Sequence, residues 1–146
     1  MSFFNAINVS STGLTAERLR MDIISENIAN ANTTRTSAGT PYRRKVPVFR
    51  TLESTDFSDV LSKAQGDNPV GNGVEVVGIR EDLSEFKREF NPGHPDADED
   101  GYVLLPNVEV VAEMINLISA SRAYEANTTA MNSTKSMAMR ALDIGK

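Results

Sequence analysis

The 146 residues contain no cysteine, and histidine occurs once, at His94. Disulfide frameworks and thiolate zinc sites are thereby excluded, and a histidine-rich metal centre has no ligands to draw on. No apolar run approaches the roughly 18 residues that cross a membrane. The opening stretch, Met1 to Val9, has no basic region, and Asn5 and Asn8 interrupt its apolar residues. A Sec-type signal peptide is not expected. The lack of cysteine fits the cytosol and an oxidising space equally well.

Charge is unevenly placed. Residues 1–50 hold seven Lys/Arg against three Asp/Glu, a net +4; residues 51–106 hold four against thirteen, a net −9; residues 107–146 balance at four each. The acidic middle argues against nucleic acid as a partner. The basic cluster Arg43-Arg44-Lys45 is short and runs into strand-like residues, so a phosphate site there is not favoured.

What the chain does have is helix periodicity at both ends. Ile7, Leu14, Met21 and Ile28 recur every seven residues, which predicts a helix from near Asn5 to near Asn30. Gly13 inside it costs about 1 kcal/mol relative to Ala and marks a bend or a close helix approach. Val110, Leu117, Tyr124, Met131 and Ala138 repeat in the same way, with Met114 and Leu142 at the companion position. Asn107 after Pro106 is the expected N-cap and Gly145 the expected stop, giving a helix of about 36 residues and roughly 54 Å. Between them, Pro, Gly and Asp/Asn punctuation breaks the chain into short pieces. Tyr42 to Leu52 reads as an edge strand because Pro47 interrupts it. Val74 to Arg80, Glu85 to Phe90 and Tyr102 to Leu105 read as further β segments, Phe57 to Ala64 as a short helix or loop, and Gly66 to Gly73 and Pro92 to Gly101 as loops.

The fold class expected is α+β: long N- and C-terminal helices pairing as a coiled coil, with a small β-rich middle segment. The parts are residues 1–34, an N-terminal helix; 35–106, the middle; and 107–146, a C-terminal helix. A compact 70-residue segment has a radius of gyration near 11 Å, too small to cover helices of this length. A two-helix seam leaves one side of each helix open. The stripes Ile7, Leu14, Met21, Ile28 and Val110, Met114, Leu117, Tyr124, Met131, Leu142 are therefore candidate assembly interfaces. The alternative is a monomeric helical hairpin acting as an interaction module.

Candidate chemistry is sparse. Asp96, Asp98 and Asp100 with Gly101 occupy positions 1, 3, 5 and 6 of a calcium loop, which would make this a small calcium-binding module. Position 12 is Asn107 where a bidentate Glu belongs, so an acidic, solvated turn before a strand is the favoured reading. His94, between Pro and Gly residues, has no nucleophile elbow nearby. No enzyme activity, cofactor, metal or small-molecule substrate is expected. Another possibility is that the basic stretch Arg43 to Arg50 meets the acidic stretch Glu81 to Asp100 across subunits.

Two stretches carry a resemblance. Ser25-Glu-Asn27-Ile-Ala-Asn30-Ala-Asn32-Thr33 resembles the N-terminal signature of the bacterial flagellar rod and hook axial protein family. The family's usual Pro-Gly-Tyr-Lys continuation is replaced here by Thr34-Arg35-Thr36, with Pro41-Tyr42-Arg43-Arg44-Lys45 following later. That departure, together with Gly101 to Val108, Ile118 to Asn127 and the closing Ala141 to Lys146, is similar to the proximal-rod branch. Asn27, Asn30, Asn32 and Thr33 are the motif positions. The resemblance implies a structural subunit of the flagellar basal body, whose paired terminal helices pack into the tube that transmits torque and encloses the export channel. The partners implied are copies of itself, other rod proteins, and the membrane-ring and export-gate region through an adaptor protein. It also implies a periplasmic location reached through the flagellar type III channel without a cleaved signal.

Overall fold

The computed structural model describes residues 3–52, 61 and 72–144. Helix α1 spans Phe3–Ala29 and helix α2 spans Val110–Ile144, 27 and 35 residues. At 1.5 Å per residue these are about 40 and 52 Å long. Between them lie strands β1 (Lys45–Thr51), β2 (Val74–Glu81), β3 (Lys87–Phe90) and β4 (Tyr102–Leu105). The expected α+β class is therefore the one observed. The reading of residues 57–64 and 66–71 lies, apart from Leu61, outside the described residues.

β1 and β2 form one two-stranded sheet, and β3 and β4 form another. Pro47 is tolerated within β1 because a two-stranded sheet consists only of edges, where a missing N–H need not break a ladder. β3 and β4 pair antiparallel, Lys87 with Leu105 and Phe90 with Tyr102 at the two ends. Alternation then puts Arg88, Phe90, Tyr102 and Leu104 on one face, while Val103 is buried on the other. The loop before β4 closes at Gly101, whose φ is +79° and whose missing side chain would lie 3.1 Å from the Phe90 ring. No other residue type suits both conditions.

α2 starts later than Asn107. Its first turn is the bond from the Glu113 N–H to the Glu109 carbonyl, 2.9 Å, so Glu109 rather than Asn107 stands at the N-cap. The Asn107 amide is occupied elsewhere: it accepts from the Arg44 N–H at 2.9 Å and donates to the Asp82 carbonyl and the Ser84 hydroxyl at 2.9 and 2.8 Å. Three bonds to other segments outweigh the one a cap would provide.

Contacts divide the chain into two compact units. One comprises residues 1–18, 48–77 and 121–146, the other 19–47 and 78–120. In the first, the Thr12 hydroxyl accepts from the Val74 N–H at 3.2 Å, and Arg50 pairs with Glu75 at 2.6 Å. A Cβ on Gly13 would sit 3.1 Å from the Asn127 amide, so glycine there allows the close approach of α2. In the second, Asn27 donates to Glu113 at 3.0 Å. In each unit, therefore, a residue of α1 meets a residue of α2: Gly13 beside Asn127 in the first, Asn27 beside Glu113 in the second.

The seam is built from small and polar residues. Ala16 and Asn27 on α1, and Glu113 and Ala120 on α2, are among the buried positions, with Ile23 and Ile24 the larger apolar members. Ala120 is fully enclosed. Ala120→Leu is accordingly expected to destabilise the fold by about 1–3 kcal/mol through overpacking. The urea midpoint should fall with an unchanged slope; a midpoint equal to that of the unaltered chain would mean the seam is open at this position.

Candidate functional site

Asparagine is a poor helix former and an expensive residue to bury, because its amide carries two donors and two acceptor sites that must be satisfied. Asn27, 1% exposed near the end of α1, meets all four. Its Nδ2 donates to the Lys45 carbonyl at 2.9 Å and to Glu113 Oε2 at 3.0 Å. Its Oδ1 accepts from the Lys45 N–H at 2.9 Å and from the Tyr42 hydroxyl at 3.0 Å. The amide thus pairs with the Lys45 backbone as a neighbouring strand would, fastening the start of β1 to α1.

Glu113, also 1% exposed, is the charged centre of this junction. A buried carboxylate requires a cation and full hydrogen bonding. Arg44 supplies both, donating from Nε and Nη2 to Oε1 at 2.9 and 2.8 Å. The same guanidinium reaches Asp82 at 3.4 Å. Asp82 is held below the usual carboxylate range, first by the Ser84 backbone N–H and then by the Ser84 side chain, with Arg44 adding less. The Tyr42 phenol is pushed up to about 12, chiefly by burial and secondarily by the Glu26, Glu113 and Glu81 carboxylates.

The basic triplet is turned onto its own chain. Arg43 lies over the Phe86 ring at 4.3 Å and donates to the Asp82 carbonyl at 3.2 Å, while Lys45 pairs with Glu26 at 2.6 Å. The meeting of basic and acidic stretches considered between subunits is therefore made within one chain by Arg43 and Arg44. Motif residues Asn30 and Thr33 shape the turn after α1: Asn30 donates to the Glu26 carbonyl at 2.9 Å and accepts from the Thr33 hydroxyl at 3.2 Å. The Tyr42 N–H then bonds the Thr33 carbonyl at 3.1 Å. Asn32 is exposed.

In the acidic turn, Asp98 Oδ1 accepts from the N–H groups of Asp100 and Tyr102 at 3.1 and 2.8 Å. Asp96 instead accepts from the Thr34 hydroxyl at 2.9 Å and faces Arg35 at 3.6 Å. These carboxylates serve the turn and its neighbours, and among the described residues no cluster of three His, Asp or Glu is arranged around a common point. His94 Nδ1 accepts from the Asp96 N–H at 3.1 Å, a local turn bond.

The stripe residues occupy distinct places. On α1, Ile7, Leu14, Met21 and Ile28 are half-buried, flanking the seam. On α2, Val110, Leu117 and Met131 are half-buried, whereas Met114, Tyr124 and Leu142 are 52%, 36% and 70% exposed. At 100° per residue, Glu113, Ala120 and Asn127 share one side of α2. Val111, Met114, Ile115 and Ile118 lie on the opposite side and are all more than half exposed. The seam on α2 is therefore the small, polar heptad beside the apolar one. An apolar search passes over Glu113 and Ala120; the available signal was a carboxylate placed seven residues before Ala120 and fourteen before Asn127.

Known proteins match across these same parts. The family described as Flagella basal body rod protein matches residues 7–35, and that described as Flagellar basal body rod FlgEFG protein C-terminal matches residues 99–144. The flagellar basal-body rod protein FlgC of Borreliella burgdorferi is 49% identical over 99% of this chain and 98% of its own length. Its counterpart in Bacillus subtilis is 47% identical over the whole of both chains. An Escherichia coli counterpart is 36% identical, again over the whole of both.

Two predictions arise from the junction. Asn27→Ala is expected to cost at least about 2 kcal/mol, since it strips partners from buried groups, whereas Asn32→Ala should stay within about 0.5 kcal/mol; equal urea midpoints for the two variants would contradict this. The raised Tyr42 pKa implies stability that is complete below the ordinary phenol value near 10 and is lost as pH rises toward about 12. Chemical denaturation across pH 9–12 should show a decline that Tyr42→Phe reduces.

Proposed function

The chain belongs to the flagellar basal-body rod protein family, and we propose from this that residues 1–34 and 107–146 build the helical core of the rod while residues 35–106 form its outer β-rich part. It is a structural subunit of the proximal rod, polymerising through its terminal helices into the tube that transmits torque and encloses the export channel. One observation carries the mechanism: the side of α2 facing away from the seam bears Val111, Met114, Ile115 and Ile118, each more than half exposed. A contiguous apolar stripe of this kind on a surface helix is the mark of a face awaiting a partner. The polar seam meanwhile fixes how the two helices of one subunit sit in register.

Its partners are further copies of the same chain and the neighbouring rod proteins, with the membrane-ring and export-gate region reached through an adaptor protein. Its working place is the periplasmic part of the basal body, reached through the flagellar type III channel. No helix among the described residues is long and apolar enough to cross a membrane, in keeping with a subunit packed against proteins. The chain performs no catalysis in this reading, which rests on its similarity to relatives named as rod proteins.

The flanking stripe residues Ile7, Leu14, Met21, Ile28, Val110, Leu117 and Met131, with Met114, Tyr124 and Leu142, would then complete contacts to neighbours. Leu14→Asp or Leu117→Asp should prevent incorporation, since each buries an unpaired charge in an apolar helix contact. Cells carrying either variant should be non-motile while the soluble protein still accumulates; normal swimming would overturn the proposed interface.

A further inference from the structure

Residues 33–42, between α1 and β1, are closed on themselves at two levels. At the base, the Tyr42 N–H bonds the Thr33 carbonyl at 3.1 Å. That base is fixed, because Tyr42 is buried with its hydroxyl on Asn27 and the Thr33 hydroxyl donates to Asn30. At the tip, the Thr36 N–H and hydroxyl both bond the Thr40 carbonyl, at 2.9 and 2.8 Å, and the Gly39 N–H bonds the Thr36 carbonyl at 2.9 Å. Between base and tip, Thr34, Arg35 and Pro41 take part in no backbone–backbone hydrogen bond among the described residues. A closed turn joined to a closed base by two unbonded stretches has its freedom at those stretches.

This segment meets the loop that precedes β4. Among the described residues, the polar contacts between the two converge on Asp96: the Thr34 hydroxyl donates to Oδ2 at 2.9 Å, and Arg35 faces Oδ1 at 3.6 Å. The ion pair is the lesser contact, because the Arg35 side chain is 71% exposed and water screens most of the attraction. Elsewhere a cleft of about 380 Å³ separates them, with Arg35, Gly39 and Pro41 on one side and Pro95, Tyr102 and Leu104 on the other. Surfaces parted by a gap forfeit the dispersion contacts that cement a packed interior.

We propose that residues 33–42 are a strap across this cleft, latched by the Thr34–Asp96 hydrogen bond and able to swing at residues 34–35 and 41 with the tip turn intact. A bond to a carboxylate favours the closed position by about tenfold or more, enough to define one arrangement and little enough to be exchanged for another. Swung clear, the strap uncovers the Tyr102 and Leu104 side of the cleft, so its position sets access to that side. The inference rests on contacts within one chain and is independent of the rod-subunit reading.

The absence of cysteine allows a pair of spin labels to be placed in the full-length chain, at exposed Ser37→Cys on the tip and exposed Glu99→Cys on the facing loop. The labelled chain should give one narrow distance. Thr34→Val removes the hydroxyl and leaves the bond from the Asp96 N–H to His94 in place; it should raise a longer, broader population about tenfold, and Asp96→Ala should do the same. Asp96→Asn keeps an oxygen to accept from Thr34 and should stay closed. In every variant the Thr36 and Gly39 amides should remain protected from hydrogen exchange. Unchanged distances in Thr34→Val and Asp96→Ala would overturn the latch, as would Asp96→Asn opening as far as Asp96→Ala, which would assign closure to the Arg35 ion pair. Loss of amide protection at Thr36 and Gly39 on opening would mean that the segment unravels, and would overturn the strap.

Discussion

The carboxylate of Glu113 organises the junction between the terminal helices. It lies on α2, is almost wholly removed from water, and is joined to Arg44 at 2.8 Å and to Asn27 at 3.0 Å. A buried charge tolerates few geometries, because each lost partner exposes the cost of its desolvation. Around it, α1 delivers Asn27, the segment leading into β1 delivers Tyr42 and Arg44, and Asn107 holds the approach to α2 against Arg44 and Asp82. Segments separated by as many as 86 residues in sequence converge because one group cannot be left unpaired.

This arrangement explains how the apolar side chains are distributed. Glycine, alanine and asparagine at the seam let the helices approach closely, and hydrogen bonds there contribute the specificity that bulk would otherwise supply. The large side chains Val111, Met114, Ile115 and Ile118 are thereby released to the opposite side of α2, where each is more than half exposed. A self-sufficient globule would invert that order, with its methionines and isoleucines inside. The present order suits the interface proposed above, in which neighbouring subunits would cover the exposed side chains.

Periodicity made the two helices and their rough extents legible, and Pro47, Gly101 and the alternating residues of Tyr102 to Leu105 made the β segments so. The seam was harder to read. The seven-residue repeats of Val110, Leu117 and Tyr124 mark apolarity, while the side that closes within the chain is set by Glu113 and Ala120, which no hydrophobic pattern selects. Asn107 illustrates the second difficulty: after Pro106 it has the local signature of a cap, but tertiary partners at Arg44, Asp82 and Ser84 claim its amide. The Asn27 motif was recognisable as a signature, whereas its role depends on Lys45, Glu113 and Tyr42, which converge only in three dimensions.

Apolar contact is non-directional, so helices joined by it can slide or roll a fraction of a turn at little cost. The four bonds of the Asn27 amide leave no such latitude, because hydrogen bonds weaken steeply as their angles open. They fix the axial setting and the rotation of α1 against α2 and β1 together. In a shaft loaded in torsion, a subunit clamped in this way transmits twist elastically, where a greasy joint would creep.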